Sequence, residues 1–260
     1  MLEKQSTILN LQSAIALAFL ITGVPRTSSG LPGLTAEEII ERVDENLTVE
    51  SSVAKAKMVI HSPRRTDVKE MIVYSKGRDK AFVEFLSPAR DRGTRYLRLG
   101  DDMWMYLPSV EKVIRISGHM LRQSMMGSDF SYEDATERSR KLLDSYSCRL
   151  VGTEVLGGTD CYVVELEATS RDVTYYRRKV WVDKRRFIGL KEELYSRSGK
   201  LLKVLTVREV GKFDGRFYPT HLVMEDKLRK GSRTEMILTD LKLNVRVDDA
   251  IFSQRNLRRR

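Results

Sequence analysis

Catalytic signatures are what this 260-residue sequence lacks. It holds no GxSxG elbow, no GxGxxG turn, no phosphate loop, no HExxH and no CxxC, so the usual marks of acyl transfer, nucleotide binding and zinc chemistry are missing. Histidine is scarce: His61, His119 and His221 are scattered, and none has a His or Cys neighbour at ligand spacing. No metal and no cofactor are expected. Carboxylates are plentiful, but sequence alone nominates no catalytic pair. Together these absences point to a protein that binds and does not catalyse. Solenoid or propeller repeats and low-complexity tracts are also missing.

Cysteine is nearly absent. Cys148 and Cys161 are the only two, and register argues against a bridge between them. Gly157-Gly158 is a two-residue hairpin signal, because both central positions must accept positive φ. It pairs 156 with 159, sets Cys161 opposite Glu154 and sets Cys148 opposite Glu167. The thiols then lie roughly 20 Å apart along the ladder at about 3.3 Å per residue. A disulfide needs Cα atoms within about 7 Å.

No apolar run reaches the roughly 20 residues of a spanning helix. The unbroken stretch Ala14–Ile21, inside Leu11–Val24, suits a signal-peptide core, and Pro25 and the small residues Thr27–Gly30 after it suit cleavage. Residues 1–30 are therefore expected to be an export signal. An uncleaved inner-membrane anchor is the alternative, because Glu3 cancels Lys4. The chain carries 46 Lys and Arg against 36 Asp and Glu, net +10. In an exported protein that surplus favours an anionic membrane surface over nucleic acid.

With 41% hydrophobic and 32% charged residues, the chain is too polar for a polytopic membrane protein and too apolar for disorder. Thr35-Ala36-Glu37-Glu38 is a capping box ahead of Ile39, Ile40, Val43 and Leu47, which predicts a helix over 36–47. From Ser52 the period changes to two. Strands are expected at 53–62, 67–76, 80–87, 93–99, 102–108 and 110–116. A second group follows at 146–156, 160–169, 174–183, 187–196, 201–211, 217–227 and 233–247. Tyr162, Val164 and Leu166 share a face against Val163, Glu165 and Glu167. Ile237, Leu241, Leu243, Val245 and Val247 share one against Asp240, Lys242, Asn244 and Arg246. Residues 119–145 lose this period and read as helix or loop, with Ser131 opening a second short helix. A dozen strands with one wet face must curl, and the helices are the available cover. A transmembrane barrel is excluded by charged runs such as Arg177-Arg178-Lys179 and by the absence of aromatic girdles.

Residues 91–134 are unusual. Gly100-Asp101 makes a hairpin tip that sets Leu97 opposite Trp104 on one face and Tyr96 opposite Met105 on the other. Both faces are apolar, so something must cover the second. Met103, Met105, Met120, Met125 and Met126 fall in this hairpin or just after it. Such flexible side chains suit a surface that repacks around variable apolar ligands, and they equally suit gap-filling in a core. Asp129 is a lone carboxylate in an apolar segment, to be paired with Arg95, Arg98 or Arg115, or used to cap the following helix.

The stretch GTRYLRLGDDMWMYLPSVEKVIRIS, followed by Met126-Gly127-Ser128-Asp129-Phe130-Ser131-Tyr132-Glu133-Asp134, closely resembles the LolA-like outer-membrane lipoprotein-sorting family. Smaller pieces look alike too: Gly158 with Cys161–Leu166, Val180–Asp183, Gly199–Lys203 and Tyr218–Thr220. The resemblance runs from about residue 34 to 257, and departs from the family at Ala135 and the charged run Thr136–Lys141. It implies a mainly β fold, LolA/LolB-like: a curved antiparallel half-barrel, unclosed, with a helical lid over an apolar cavity. One such domain is expected over residues 31–260.

The implied role is that of a periplasmic carrier of lipoprotein acyl chains or lipids toward the outer membrane. The alternative is a lipid-sensing or accessory subunit of an RND-type inner-membrane transporter or envelope-stress system. The expected lipid-binding residues are Leu97, Leu99, Met103, Trp104, Met105 and Tyr106 of the hairpin, with Met120, Met125, Met126 and Phe130 after it. Arg95, Arg98, Arg115, Gly127, Ser128 and Asp129 are expected to hold the lid. Exposing one acyl chain of a dozen methylenes costs on the order of 10 kcal/mol, so carriage demands an apolar enclosure.

Overall fold

The computed structural model describes residues 33–137, 141–171 and 173–259. The expected export signal and Arg138–Arg140 of the charged run lie outside them. Helix α1 (Ala36–Leu47) opens the described chain. Six strands follow: β1 (Ser51–His61), β2 (Thr66–Lys76), β3 (Lys80–Ser87), β4 (Arg95–Leu99), β5 (Asp102–Leu107) and β6 (Lys112–Ile116). A short helix α2 (Tyr132–Glu137) stands in the middle. Then come β7 (Tyr146–Leu156), β8 (Thr159–Ala168), β9 (Arg177–Asp183), β10 (Gly189–Tyr195), β11 (Leu201–Phe213), β12 (Arg216–Asp226), β13 (Arg233–Leu243) and α3 (Gln254–Leu257).

All thirteen strands form one antiparallel sheet in the order β6-β5-β4-β3-β2-β1-β13-β12-β11-β10-β9-β8-β7. Each half is a meander, and the halves join where β1 pairs with β13. The sheet is an unclosed half-barrel, so β6 and β7 are its two free edges. They are also consecutive in the chain. The residues between them must cross from one edge to the other, and this is why described residues such as Met120, Met125, Tyr132 and Leu142 cover a sheet face.

Opposed residues share a face, so the cross-strand register assigns every side chain. One face, the lidded face, carries Val164, Val180, Met236, Met58, Met71, Phe85, Tyr96 and Met103. Helix α1 packs there on Val164, Leu166, Val180 and Val182 through Ala36, Ile39, Ile40 and Val43. Its capping box forms as expected, with the Glu38 amide donating to Thr35 Oγ1 at 3.1 Å and the Thr35 amide to Glu38 Oε2 at 2.7 Å. Burying Ile39, Ile40 and Val43 contributes about 1.5–3 kcal/mol each. Leu47, expected in the same stripe, is 43% exposed because the helix ends at that residue.

The Gly100 hairpin forms with Leu97 opposite Trp104 and Tyr96 opposite Met105. The second apolar face has its cover in the C-terminal segment: Val245, Val247, Ile251, Phe252 and Leu257 pack on Phe82, Leu97, Leu99, Trp104 and Tyr106. Here the expected strand 233–247 is too long. Asp240 and Asn244 adopt positive φ, the pairing with β1 shifts, and the strand ends at Leu243. Val245 and Val247 therefore leave the sheet and become part of its cover. Asp249 fastens this segment by accepting from Lys76 Nζ at 2.7 Å and Lys80 Nζ at 2.8 Å, which holds its carboxyl at about 2. A depressed carboxyl stabilises above its unfolded value near 3.8 and loses that contribution as pH falls through about 2. Amide exchange in 245–257 should accordingly quicken between pH 4 and pH 2 more in the parent than in Asp249→Asn, and equal responses would detach Asp249 from the docking.

The Gly157-Gly158 turn pairs Leu156 with Thr159 and Cys161 with Glu154, as expected. A bulge between Leu150 and Gly152 moves Cys148 one place, opposite Leu166 instead of Glu167. Cys148 lies under α1 and Cys161 on the opposite face beside Trp181, and both are free thiols. Burial, then Glu37 and Glu41, push the Cys148 thiol up to about 12, and burial also raises Cys161. Neither should react with a maleimide at pH 8 in the folded protein. Both should react after unfolding without reductant, and silence there would reveal a disulfide.

Candidate functional site: the lid and the face beneath it

After β6 the chain makes two 3-10 turns, Gly118–Arg122 and Met125–Gly127. Residues 124–131 close on themselves: Ser124 bridges Ser131, and the Met125 amide donates to the Phe130 carbonyl at 2.8 Å. Met126 and Gly127 take φ of 53° and 81° at the tip, a conformation that glycine accepts without strain. The Ser128 hydroxyl donates to the Met125 carbonyl at 2.7 Å, and the Ser124 hydroxyl donates to the Ser128 carbonyl. Ser131 and Asp134 then cap α2 reciprocally, with Ser131 N to Asp134 Oδ2 at 2.6 Å and Asp134 N to Ser131 Oγ at 3.2 Å. The MGSDFSYED stretch is thus one self-bonded loop running into a capped helix.

This loop is pinned to the sheet at Asp129. Its Oδ2 accepts from the Thr234 hydroxyl at 2.6 Å, while its amide donates to Thr234 Oγ1 at 2.9 Å. Thr234 and the Asp129 side chain are 0% exposed. The nearby base is Arg229: its Nη1 lies 2.9 Å from the Ser128 carbonyl, 3.5 Å from that of Gly127 and 3.9 Å from Asp129 Oδ1. Arg95, Arg98 and Arg115 do not take that place. Arg95 bonds Glu84 at 2.9 Å, Arg98 donates to the Arg78 carbonyl at 2.8 Å, and Arg115 pairs with Asp102. The reason is reach. The loop crosses to β13, which lies four strands from β4, and the adjoining β12–β13 turn supplies the arginine.

Met120, Leu121, Met125 and Met126 pack onto a cluster of Met58, Met71, Phe85, Tyr96, Met103 and Ile116, joined by Met105, Met236 and Tyr132. Eight of the ten methionines meet here. Tyr132 of the lid meets Tyr96 at a tilt, with ring centroids 5.7 Å apart, and Phe85 meets Tyr96 edge-on at 5.8 Å. Burial, with Tyr132 beside it, holds the Tyr96 hydroxyl above its usual range. Met58, Met71 and Met236 were not among the expected lining residues. They come from strands remote in sequence, and only the pairing of β1 with β13 and β2 brings them in.

The expected set divides between the two faces. Met103 and Met105 join Met120, Met125 and Met126 on the lidded face. Leu97, Leu99, Trp104 and Tyr106 alternate with them along β4 and β5, so they face the other way and pack under the C-terminal segment. Phe130 is half-buried, and its carbonyl closes the loop.

The lidded face is not apolar throughout. Between the methionine cluster and α1 runs a buried polar seam. Arg178 pairs with Glu192 at 3.0 Å and lies over the rings of Tyr146 and Tyr175 at 4.8 and 5.3 Å. Asp134 of α2 takes Lys203 at 2.6 Å and the Tyr175 hydroxyl at 2.7 Å. This seam anchors the C-terminal side of the lid by charge, while its N-terminal side rests on methionine contacts. Two open hollows, of about 380 Å³ at Ser62–Arg65 and about 440 Å³ beside Thr48, Gly77 and Arg216, lie away from the lid.

On the opposite face His61 and His221 converge on Glu235, each Nε2 2.9 Å from one carboxylate oxygen. Burial raises the Glu235 carboxyl, but the hydrogen bonds from His221 and His61 outweigh it and leave it lowered. Sequence spacing hid this cluster because its members sit on three neighbouring strands. Among the described residues no group of three His, Cys, Asp or Glu is arranged to hold a metal ion, and no helix is long and apolar enough to cross a membrane.

An open antiparallel sheet whose two edges are joined by a lid across one face defines a lidded half-barrel protein. A family model described only as "uncharacterized protein" matches residues 77–259. A DUF1329 family protein from Desulfovibrio piger is similar at 30% identity and TM-score 0.81, covering 85% of this chain and 97% of that one. A LolA superfamily protein from Nitrosomonas europaea is also 30% identical, at TM-score 0.72, over 86% of this chain and all of that one. A putative outer membrane lipoprotein-sorting protein domain from Vibrio parahaemolyticus is 27% identical at TM-score 0.75, covering 86% and 100%. No curated protein matches significantly. The chain belongs to the LolA-like outer-membrane lipoprotein-sorting family.

Proposed function

We propose that the protein is a periplasmic carrier, exported by its N-terminal segment, that takes acyl chains of lipoproteins or lipids onto the lidded face and hands them toward the outer membrane. The observation that carries this reading is the methionine cluster, five of its eight members on the sheet and three on the N-terminal side of the lid, which rests on them. The lid is closed, and its methionines occupy the space an acyl chain would take. Loading is then an exchange: Met120, Met125 and Met126 leave and the chain enters. Full burial of three such side chains is worth about 1.5–3 kcal/mol each, and these three are only partly buried. Burying a dozen methylenes returns about 10 kcal/mol, so the acyl chain wins the exchange. Methionine suits both states because an unbranched thioether repacks at little cost.

In this reading Met58, Met71, Phe85, Tyr96, Met103, Met105 and Met236 form the floor, and Met120, Met125 and Met126 the displaceable cover. Leu97, Leu99, Trp104 and Tyr106 support the floor from behind. The kinship with a lipoprotein-sorting domain supports the carrier role. Native mass spectrometry of the protein, recovered from the periplasm without detergent, should show a fraction carrying mass in whole lipid or acylated-peptide increments. A uniformly bare protein that also fails to take up a fluorescent acyl probe would overturn the carrier reading.

A further inference from the structure

The strand connections of this meander fall alternately at its two ends. Six of them, 62–65, 88–94, 108–111, 169–176, 196–200 and 227–232, lie at the end where β1 finishes. These six hold ten Lys and Arg against three acids, whereas the five at the other end hold four against three. Large apolar side chains stand exposed among the charges, Leu228 at 55% and Val110 at 54%. Leu228 sits between Lys227 and Arg229-Lys230 at the tip of the β12–β13 turn, and Pro63 of the β1–β2 turn lies against Gly231 of that tip. Arg64 and Lys230 have no acidic partner among the described residues, and Arg64 and Arg65 line the 380 Å³ hollow. Basic residues around a protruding leucine fit a surface with anionic phosphates outside and hydrocarbon beneath. An acidic protein would match the charge but would offer no layer for Leu228.

The same turn holds the lid. Arg229 is 40% exposed along its side chain, and reaches the carbonyls of Gly127 and Ser128 and the buried Asp129. We infer that this basic end docks on an anionic phospholipid surface, and that headgroup phosphates competing for Arg229 loosen the lid. A phosphate bears full negative charge and accepts the guanidinium fork better than two neutral carbonyls do. Losing Arg229 frees the Gly127 and Ser128 carbonyls and removes the positive charge 3.9 Å from the buried Asp129 carboxylate, so the pin at the lid tip weakens when the protein meets a membrane. The inference rests on the carrier reading for its purpose, since it places lid opening at the membrane.

The test uses the full chain with vesicles of phosphatidylcholine alone and of equal parts phosphatidylcholine and phosphatidylglycerol. Sedimentation should show binding to the anionic vesicles, lost at high salt as screening tightens. Arg64→Gln with Lys230→Gln should weaken it about 25-fold at low salt, about fivefold per charge, and Leu228→Ser should weaken it further. Equal binding to both vesicles, or to parent and double variant, would overturn the docking. Retained vesicle binding in Leu228→Ser, together with equal capture of an acidic polypeptide, would assign the surface to an acidic macromolecule instead.

Hydrogen exchange supplies the second half. Anionic vesicles should speed exchange of residues 124–131 in the parent, whereas Arg229→Gln should exchange fast there already and respond little. Docking with unchanged lid exchange would overturn the unlatching. Arg229→Lys, which keeps a charge but loses the fork, serves if Arg229→Gln does not fold. None of these readouts needs acyl cargo, so a protein that docks and unlatches without taking up an acyl probe would lose the carrier reading and keep this one.

Discussion

Replacing Thr234 with valine should free the lid and lower the melting temperature by about 5–10 °C, at roughly 2–4 °C per kcal/mol for a domain of this size. Thr234 is a shape match for valine, so the change removes a hydroxyl and leaves the packing almost intact. That hydroxyl is the hydrogen-bond donor to Asp129 Oδ2 and the acceptor for the Asp129 amide. Asp129 Oδ1 has no hydrogen bond of its own, with Arg229 at 3.9 Å the remaining help. Breaking a buried charge pairing costs about 3–5 kcal/mol when the charge cannot escape. Here it can escape, because the 124–131 loop lies on the surface side of the carboxylate. The loss should therefore fall toward the lower end and be taken as local opening. Exchange at residues 124–131 should rise sharply while β8 and β9 stay protected. Asp129→Asn in the Thr234→Val background should recover part of the loss, since a neutral amide is cheaper to bury than a carboxylate. An unchanged melt with a fully protected loop would mean that this contact does not hold the lid.

The largest effect on binding is expected from Met125→Asp combined with Met126→Asp. Both side chains are half-buried against the methionine floor, on a loop with internal hydrogen bonds that the substitutions do not touch. Two carboxylates cannot remain against Met103 and Phe85 at a tolerable cost, and the loop can swing them into water. The sheet should fold, the melting temperature should fall by less than about 5 °C, and the lid should stand open. Uptake of a fluorescent fatty acyl probe should then drop by at least about tenfold, an energy of about 1.4 kcal/mol, because the bound chain loses its apolar cover. A collapsed melt would show these methionines to be core side chains with no second position. Unchanged uptake in a folded double variant would remove the lid from acyl binding. Tryptophan emission is a poor readout here, because Trp104 and Trp181 both face away from the lid.

Much of the fold was legible because its determinants are local. The capping box at Thr35, the Gly100-Asp101 and Gly157-Gly158 tips and the period-two runs each act within a few residues, and hairpin register follows from turn geometry. The MGSDFSYED stretch could be singled out for the same reason, since its serines bond within the loop and to the helix that it caps. Where the backbone departs from regular pairing, local signals no longer place the residues. The bulge at Val151 moved Cys148 by one place, and positive φ at Asp240 and Asn244 ended β13 early.

The lining set shows where the sequence stops deciding. Alternation along β4 and β5 separates Met103 and Met105 from Leu97, Trp104 and Tyr106, but with both faces apolar it cannot say which one lies under the lid. That choice required the C-terminal segment to cover one face and the segment with Met120–Tyr132 to cover the other, and both depend on which strands became edges. Asp129 likewise announced its need for a partner, while the partner, Arg229, lies 100 residues further along the chain and next to it only because β13 pairs with both β1 and β12. Turns, caps and hairpins were determined by the sequence itself, since their free energy comes from neighbours in the chain. The face under the lid, the methionine cluster and the Asp129 pin were decided only by tertiary structure, since their free energy comes from long-range strand pairing that no local period encodes.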